Sequence, residues 1–518
     1  MDHHHHQGSD ANAKANRDEA AHVLLLDGSS LTIQDLVSAS HRTKTIVRVT
    51  ADALLRMKKN RIFAERLADR GDIIYGLSVG VGIRKKSLVA GSEMLTLNQR
   101  IIQDTVAGQG PPERHDVTRA TAIVLLNSLA AGRTNVRPVI ARIIAERLTN
   151  GPPLRPIPVY GSTGIGDVVP LAHLASDLLG DFAPIAGEAL PLIGQSSMVT
   201  ASSVISFHES RVLLEELAVL AALDVEGYAA NPSPYHIMVA AVRPYPGYVR
   251  ASKIIRDHLH GSVLFTETPR HLQAPLTFRG AAAVIGNAFD AYNFVETQLQ
   301  INLNGHQQNP LSLEEEDQML PCANFDMQAV ATALDIARIA LAPCLTAQSE
   351  RTMKLLQARD SGLTDGLEPD SGDESGGVSG HGYTTLAFTV QAMATEARLL
   401  ASPVSYEVGT SSQEEGVGDR LTMAGLGARR LREMTDLGFR IAAIAAVVAA
   451  QAIELRGVDR LGPPALRLHS EIREIIPKLV QGKPPPTANA MRLLSEKMRQ
   501  GMLAGSSRLL IGESRSRL

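Results

Sequence analysis

The feature that most constrains the fold is a succession of long apolar helical patterns in the second half of the chain. In each pattern, small and apolar residues recur at spacings of three and four. The strongest patterns cover residues 210–223, 280–299, 327–354, 383–400 and 421–455. Many of the recurring positions are alanine, which favours helix and lets neighbouring helices approach closely. The sequence therefore predicts a mainly α-helical protein with a central bundle of long helices.

Composition excludes several alternative classes. Aromatic residues make up only 4% of the 518 residues and tryptophan is absent, which argues against an all-β sandwich. The formal net charge of -3 gives no signature of binding to nucleic acid or an anionic membrane. Arg440, Gln451 and Glu454 interrupt the most apolar run, so we interpret it as a buried helix of a soluble protein rather than a membrane span.

The cysteine content and the chain's beginning set further expectations. Cys322 and Cys344 are the only cysteines, so disulfides cannot carry the fold, and we expect a reducing, cytoplasmic location. No paired Cys or His spacing typical of a metal site occurs, and we predict no metal. The histidines at 3–6 look like an expression tag within a polar tail, residues 1–22. We expect an N-terminal domain over 23–230 and the helical bundle over 231–518.

Two glycine-rich turns, residues 75–82 and 161–167, invite other interpretations. The first lacks the acidic ribose ligand and βαβ setting of a dinucleotide site, and the second lacks the Lys-Ser/Thr pair of a phosphate loop. Ser162, Asp167 and His173 suggest a serine hydrolase, but no strand–elbow–helix pattern surrounds them. Taken singly, both segments are most simply tight turns.

Taken together with five other segments, these turns resemble the histidine and phenylalanine ammonia-lyases and the related aminomutases. The resemblance covers about residues 23–505, and the seven segments occur in the family's order. They are Tyr75-Gly76 with Gly80 and Gly82; residues 126–138; residues 161–173; residues 273–279; residues 304–311; Asn324-Phe325; and Gln413-Glu414-Glu415. The resemblance implies an ammonia-lyase fold with a smaller N-terminal part. It also implies a homotetramer whose active sites combine loops from different subunits.

The sequence departs from this family where the family makes its electrophile. Members cyclise an Ala-Ser-Gly tripeptide, inside Gly-Ser-x-Gly-Ala-Ser-Gly-Asp, into a methylidene-imidazolone. Here only Ile165 and Gly166 stand between Gly164 and Asp167, so the required serine is missing. Two further departures agree. Gly194-Gln195-Ser196 replaces the family's Asn-Gly-Thr, and Thr105 stands where histidine lyases have an active-site histidine. We therefore predict that the protein carries no organic cofactor.

Losing the electrophile is chemically compatible with one kind of substrate. A primary amine uses its lone pair to attack the methylidene group, and this attack activates it as a leaving group. A trimethylammonium group has no lone pair and departs as neutral trimethylamine, so it needs less help. The family contains enzymes of this kind, the ergothionases, which split ergothioneine into thiourocanate and trimethylamine. The sequence is most similar to these enzymes, and the sulfur-bearing ring of the substrate rests on that resemblance alone.

The resemblance also implies the site residues. Tyr75 and Glu414 would be catalytic: Tyr75 as the general base that removes the β-proton, and Glu414 as the partner of an azole N–H or of the positive nitrogen. Arg279 would hold the substrate carboxylate as a bidentate fork. The other candidates for substrate binding are Phe325, Asn304, Thr105, His381 and Tyr383. Phe325 would stack on the ring or face the trimethylammonium group, whereas core packing is the simpler role for Tyr383.

We thus predict a carbon–nitrogen lyase that eliminates trimethylamine from ergothioneine, with a small betaine as its only partner besides its own copies. Two alternatives stay open. One is a lyase for another amino-acid betaine, such as hercynine, the betaine of plain histidine. The other is an inactive family member with a structural or regulatory role, against which the retention of Tyr75 and Arg279 argues.

Overall fold

The computed structural model describes residues 22–41, 44–88, 91–369, 381–406, 416–481, 483–486 and 488–505. The described chain forms two compact units that are interleaved in sequence. Unit 1 comprises the described residues up to 160 together with 169–194 and 304–322. Unit 2 comprises 161–168, 195–303 and the described residues from 323 onward. The division into domains at residue 230 stays a prediction from the sequence.

Unit 1 contains seven α-helices and three small two-stranded sheets. Its helices are α1 (Ile33–His41), α2 (Ala51–Arg70), α3 (Gly91–Asp104), α4 (His115–Ala130), α5 (Pro138–Asn150), α6 (Val168–Leu179) and α7 (Ala189–Ile193). Its strands are β1 (His22–Leu26), β2 (Thr45–Val49), β3 (Gln109–Pro112), β4 (Pro158–Tyr160), β5 (Leu311–Leu313) and β6 (Gln318–Leu320). Strands β1 and β2 pair in parallel, whereas β3–β4 and β5–β6 are antiparallel. Helix α4 packs on α1, α2 and α5 and forms the core of this unit.

Unit 2 is built from helices alone among its described residues. They are α8 (Ser197–Tyr228), α9 (Ile237–Ala241), α10 (Pro246–His258), α11 (Leu276–Arg279), α12 (Ala281–Asn304), α13 (Gln328–Leu356), α14 (Ala358–Ser361), α15 (Leu386–Leu400), α16 (Ala424–Arg456), α17 (Pro463–Ile475) and α18 (Ala488–Arg499). Helix α16 packs against α8, α13, α15 and α18, so it is the central helix of the bundle.

Small residues let these central helices approach closely. Every residue from Ile441 to Ile453 on α16 is buried, and seven of these thirteen are alanine. At Gly438, a Cβ atom would lie 2.2 Å from Leu213 Cδ2 of α8. The apolar faces of α8 and α16 therefore bury one another with little intervening side chain, as close-packed interiors require.

The structure confirms the predicted fold class. Each long helical pattern of the sequence corresponds to one helix, and the most apolar run is the buried part of α16. Two helices, Gln328–Leu356 and Ala424–Arg456, are long and apolar enough to cross a membrane. However, 67% and 83% of their most apolar windows are buried inside the fold, which is the pattern of core helices in a soluble protein.

Candidate functional site

The Tyr75 loop lies in unit 1, directly after α2. The amides of Leu77, Ser78 and Val79 all donate to the carbonyl of Ile74, which closes a tight turn around the tyrosine. Gly76 has φ = +76°, and a Cβ atom there would lie 2.8 Å from Leu190 Cδ2. The turn therefore requires glycine at this position, as the sequence motif suggested.

The Tyr75 hydroxyl is held by the same loop. Tyr75 is half-buried, and the backbone N–H of Gly82 donates to its Oη at 2.7 Å. A donor aimed at a phenolic oxygen stabilises the ionised form more than the neutral form. The loop thus positions the hydroxyl, and its use as a proton acceptor stays a prediction.

The loop at Gly161–Val168, where the sequence lacks the cyclising tripeptide, lies in unit 2. Residues that precede two helices form hydrogen bonds with its Thr163-Gly164 segment. The amides of Thr422 and Met423, which precede α16, donate to the Thr163 carbonyl, each at 3.1 Å. The Thr422 hydroxyl and the amide of Met327, which precedes α13, donate to the Gly164 carbonyl at 2.8 and 3.2 Å. A Cβ atom at Gly164 would lie 2.1 Å from Thr422 Oγ1, so only glycine fits there.

Asp167 anchors the other end of this loop to α8. Its Oδ2 accepts from the Val199 amide at 2.9 Å, its own amide donates to the Gln195 carbonyl at 2.6 Å, and the Ser162 hydroxyl donates to its Oδ1. The side chain is fully buried, and this burial raises the pKa of Asp167 to about 6 against the lowering effect of these hydrogen bonds. The N-terminal ends of α8, α13 and α16 therefore all contact this loop. Because a helix N-terminus carries partial positive charge, the three ends favour negative charge there.

The two residues that replace the cyclising tripeptide contact the Phe325-Asp326 segment. Ile165 forms a backbone bridge with Asp326. The Ser196 hydroxyl accepts from the Gly166 amide at 3.1 Å and donates to the Phe325 carbonyl at 2.8 Å. This brings the half-buried Phe325 beside the loop, and a contact of its ring with substrate stays a prediction.

Comparison with known proteins identifies the family. The profile described as aromatic amino acid lyase matches residues 31–474. The chain belongs to the aromatic amino acid lyase family.

Individual relatives agree with this assignment. Histidine ammonia-lyase from Staphylococcus aureus is 28% identical over 493 residues, covering 89% of this chain and 95% of that protein. The crystal structure of ergothionase from Treponema denticola, in complex with desmethyl-ergothioneine sulfonic acid, superposes with a TM-score of 0.85 at 25% identity, covering 93% of this chain and 100% of that one. Tyrosine aminomutase from Streptomyces globisporus gives 0.83 at 25% identity, covering 93% and 97%. The family evidence thus supports a carbon–nitrogen lyase, and it confirms the predicted family.

Arg279 of this lyase is the last residue of the short helix α11 in unit 2. Its Nε donates to the Ala274 carbonyl at 3.0 Å, which fixes the guanidinium against its own turn. The side chain is exposed and forms no ion pair with any carboxylate in the described part of the chain. Its two terminal nitrogens therefore remain available for a ligand carboxylate.

Two other candidates bind their own chain. The amide of Asn304 bonds the backbone N–H and C=O of Leu31 at 3.0 and 2.8 Å, and Asn127 Nδ2 donates to its Oδ1 at 3.1 Å. The Thr105 hydroxyl donates to the Ile101 carbonyl at 2.6 Å, at the end of α3. Both side chains thus have structural bonds within unit 1, and a contact of either with substrate stays a prediction.

Two of the last three candidates, His381 and Tyr383, lie in the turn before α15. His381 is exposed, and its carbonyl accepts from the Thr384 amide. Tyr383 is fully buried, and this burial raises the pKa of its hydroxyl against the opposing effect of Arg473. That environment favours the core-packing role over a substrate contact. Glu414 lies outside the described residues.

Sequence reasoning missed an ion pair beside Phe325. Arg420 donates to Asp326 Oδ2 and to Gln328 Oε1, each at 2.6 Å. The pair connects the Phe325 segment to the residues just before α16. The only sequence signal is a charged residue near each of two motif segments: Asp326 follows Asn324-Phe325 directly, and Arg420 comes five positions after Glu415. This proximity in sequence does not show that the two side chains pair. Across the described parts of the chain, no three His, Cys, Asp or Glu side chains lie close enough to hold a metal ion.

Proposed function

We propose that this lyase eliminates trimethylamine from ergothioneine to give thiourocanate, without a methylidene-imidazolone. The observation that carries the proposal is the loop between Gly164 and Asp167, where Ile165-Gly166 supplies no serine to become the methylidene group. The similarity to an ergothionase crystallised with a substrate-like sulfonic acid supports this choice of substrate.

In the proposed reaction, one proton and one amine leave the substrate. The Tyr75 phenolate takes the β-proton, the C–H electron pair forms the new C=C bond, and the C–N pair leaves with neutral trimethylamine. Arg279 binds the carboxylate as a two-pronged fork and offsets the negative charge that develops next to it. The N-termini of α8, α13 and α16, which contact the loop at residues 161–168, also favour negative charge.

The remaining roles concern the ring and the cationic nitrogen. Phe325 provides an aromatic face to the trimethylammonium group or stacks on the ring. Glu414 accepts the azole N–H or faces the positive nitrogen. His381 and Asn304 are further partners of the ring or of the substrate backbone, and Thr105 lines the pocket. Each active site would combine loops of different subunits in a homotetramer. Free thiols at Cys322 and Cys344 suit a reducing cytoplasm.

Exposed apolar side chains of unit 2 support self-assembly. Phe388 and Leu399 of α15 are 72% and 70% exposed, and Leu276 of α11 is 67% exposed. Large apolar side chains exposed together are typical of surfaces covered by a partner. A second copy of this chain is the partner that the family membership favours.

The test mixes purified protein with ergothioneine, hercynine or histidine in parallel and records the ultraviolet spectrum together with amine release. We expect a new conjugated chromophore and equimolar trimethylamine from ergothioneine, and no reaction with histidine. Tyr75→Phe and Arg279→Gln should each lower turnover by at least about a hundredfold. Tyr245→Phe and Arg243→Gln are the matched controls. Tyr245 is exposed, its ring contacts the Arg243 guanidinium, and neither residue is a predicted site residue, so both variants should keep full turnover.

Each other outcome of this test is informative. Ammonia release from histidine would contradict the argument from the missing serine. Turnover of hercynine alone would move the proposal to a sulfur-free betaine. No turnover of any of the three substrates, by protein that retains its fold, would favour an inactive family member.

A further inference from the structure

A cavity of about 310 Å³ lies in unit 2 beside the C-terminal end of α8. Three short segments line most of it: the residues just after α8, residues 267–270, and the end of α16 with the turn that follows. None of the predicted substrate-binding residues lines this cavity. It is therefore a separate feature from the proposed active site.

The charges that line this cavity are strongly unbalanced. Arg270, Arg456 and Arg460 contribute three guanidinium groups, whereas Glu267 is the only carboxylate among the described lining residues. Glu267 is paired with Arg460, with Arg460 Nη1 3.0 Å from Glu267 Oε1. Arg270 and Arg456 donate only to backbone carbonyls among the described residues. In the part of the chain that the structure describes, the positive charges of Arg270 and Arg456 are thus left without a carboxylate partner.

Two further carboxylates act on Arg460 from outside the lining. Asp459 is its exposed neighbour in the turn. Glu226 is mostly buried, accepts a hydrogen bond from the Ser262 hydroxyl at 3.0 Å, and has a pKa raised by burial to about 7. Glu226 is therefore only partly ionised at neutral pH and compensates the arginines incompletely.

The Arg270 guanidinium is fixed by contacts with its own chain. Its guanidinium lies over the Tyr228 ring, 4.5 Å from the centroid, and its Nη2 donates to the Asp360 carbonyl at 2.8 Å. Its Nε is buried without a partner in the described structure. Gly362, at φ = +70°, leaves the room this guanidinium needs, since a Cβ atom there would lie 2.8 Å from Arg270 Nη1. A stacked guanidinium loses little conformational entropy on binding an anion.

Arg456 is fixed as firmly at the end of α8. Its Nε donates to the Gly227 carbonyl and its Nη2 to the Ser361 carbonyl, both at 2.6 Å. Burial, together with repulsion from Arg270 and Arg460, lowers the pKa of Arg456 to about 10. An anion in the cavity would relieve this repulsion.

We propose that this cavity binds a small organic phosphate monoester, with the phosphate held by Arg270, Arg456 and Arg460. Guanidinium groups match the oxygen geometry of phosphate and can bind it through paired hydrogen bonds. A doubly charged phosphate matches the two uncompensated positive charges. Apolar lining residues, among them Pro232, Leu264 and Leu455, contact the organic part. The volume lies in the range of small-molecule sites.

The test titrates inorganic phosphate into the full-length protein by calorimetry, at neutral pH and constant ionic strength set with chloride. We expect one phosphate per chain. Arg270→Gln and Arg460→Gln should each weaken binding about tenfold, the loss expected for one charged hydrogen-bonding group. Glu267→Gln should strengthen binding, because it removes the lining carboxylate and releases Arg460. The control, Arg256→Gln, removes a guanidinium that donates to the Tyr235 carbonyl at 3.2 Å and lines no part of this cavity, so phosphate affinity should be unchanged.

Phenyl phosphate and malonate complete the test. Tighter binding of phenyl phosphate than of inorganic phosphate supports an organic ligand, and weaker binding contradicts it. Malonate distinguishes a dicarboxylate from a phosphate, and tighter binding of malonate would overturn the assignment. Absence of saturable phosphate binding, or equal affinities in Arg270→Gln and Arg256→Gln, would overturn the site. If Arg270→Gln does not fold, Glu267→Gln decides, since unchanged or weaker binding in that variant contradicts the proposal.

Discussion

At the scale of single residues, Asp167 combines two properties that usually oppose each other. Its carboxyl group is completely buried, yet it accepts hydrogen bonds at the N-terminus of α8 and from Ser162. Burial disfavours the ionised form, whereas these donors favour it. The balance decides whether the loop that replaces the electrophile is held by a charged or a neutral group.

The first prediction concerns the pH dependence of stability through Asp167. Its pKa is raised from 3.8 to about 6 in the folded protein, so the folded state holds this proton more tightly than the unfolded chain. The resulting stabilisation is complete below about pH 4 and is lost as the pH rises through about 6. Asp167→Asn removes this titration, so its stability relative to wild type should rise by roughly 2 kcal/mol between these pH values.

Urea unfolding midpoints of both proteins, measured across this pH range, check the prediction. Taking the difference between variant and wild type removes the contribution of other titrating groups, such as Glu226. Parallel curves for the two proteins would show that the hydrogen bonds at α8 keep Asp167 ionised in spite of its burial.

Residue-level features were predictable only where they are local in sequence. The Tyr75 turn could be predicted because Gly76 and Gly82 lie within seven residues of the tyrosine. The role of Ser196 could not, since its hydroxyl connects Gly166 to Phe325, a residue 129 positions away. Pairing of Arg420 with Asp326 was hidden for the same reason.

At the scale of helices, the main disagreement concerns where α8 begins. The sequence pattern predicted a helix from residue 210, but α8 starts at Ser197. Its first turns contain Ser and Thr whose hydroxyls donate to carbonyls of the preceding turn, as Thr200 does to Ser196 and Ser203 to Val199. Such residues can be buried in a helix because this bond satisfies the hydroxyl. They give no apolar periodicity, so the pattern missed them.

The second prediction concerns the contact between α10 and α12. A Cβ atom at Gly286 of α12 would lie 2.5 Å from the backbone N and Cα of Tyr248. Backbone atoms cannot move aside as a flexible side chain can, so Gly286→Ala should destabilise the protein by about 2 kcal/mol, as overpacking does. This result would reverse the usual gain from replacing a helical glycine by alanine.

Gly425→Ala is the matched control, because the added methyl group meets only side-chain atoms at ordinary van der Waals distances, Val199 Cγ2 at 3.5 Å and Arg429 Nη1 at 3.9 Å. Unfolding midpoints of the two variants check the prediction. Equal stability in Gly286→Ala and Gly425→Ala would mean that the α10–α12 contact is looser than the structure indicates.

At the scale of the whole molecule, the exposed apolar residues of α11 and α15 lead to the third prediction. We expect a solution mass of about four times the 55.4 kDa chain, measured by sedimentation velocity. Phe388→Asp combined with Leu399→Asp places charge where two copies would bury apolar surface, and should give smaller species. A wild-type protein with the mass of one chain, or a doubly substituted protein that remains a tetramer, would contradict this surface as the interface.

The long sequence separation between α8 and α16 has a consequence for biosynthesis. Helix α8 ends at Tyr228, whereas α16, against which it packs, begins at Ala424. A ribosome adding 5–20 residues per second makes the intervening segment in roughly 10 to 40 s. During this delay the apolar surface of α8 has no α16 to cover it, so nascent chains should depend on chaperones. Translation that stops before α16 should yield aggregates rather than a smaller folded protein.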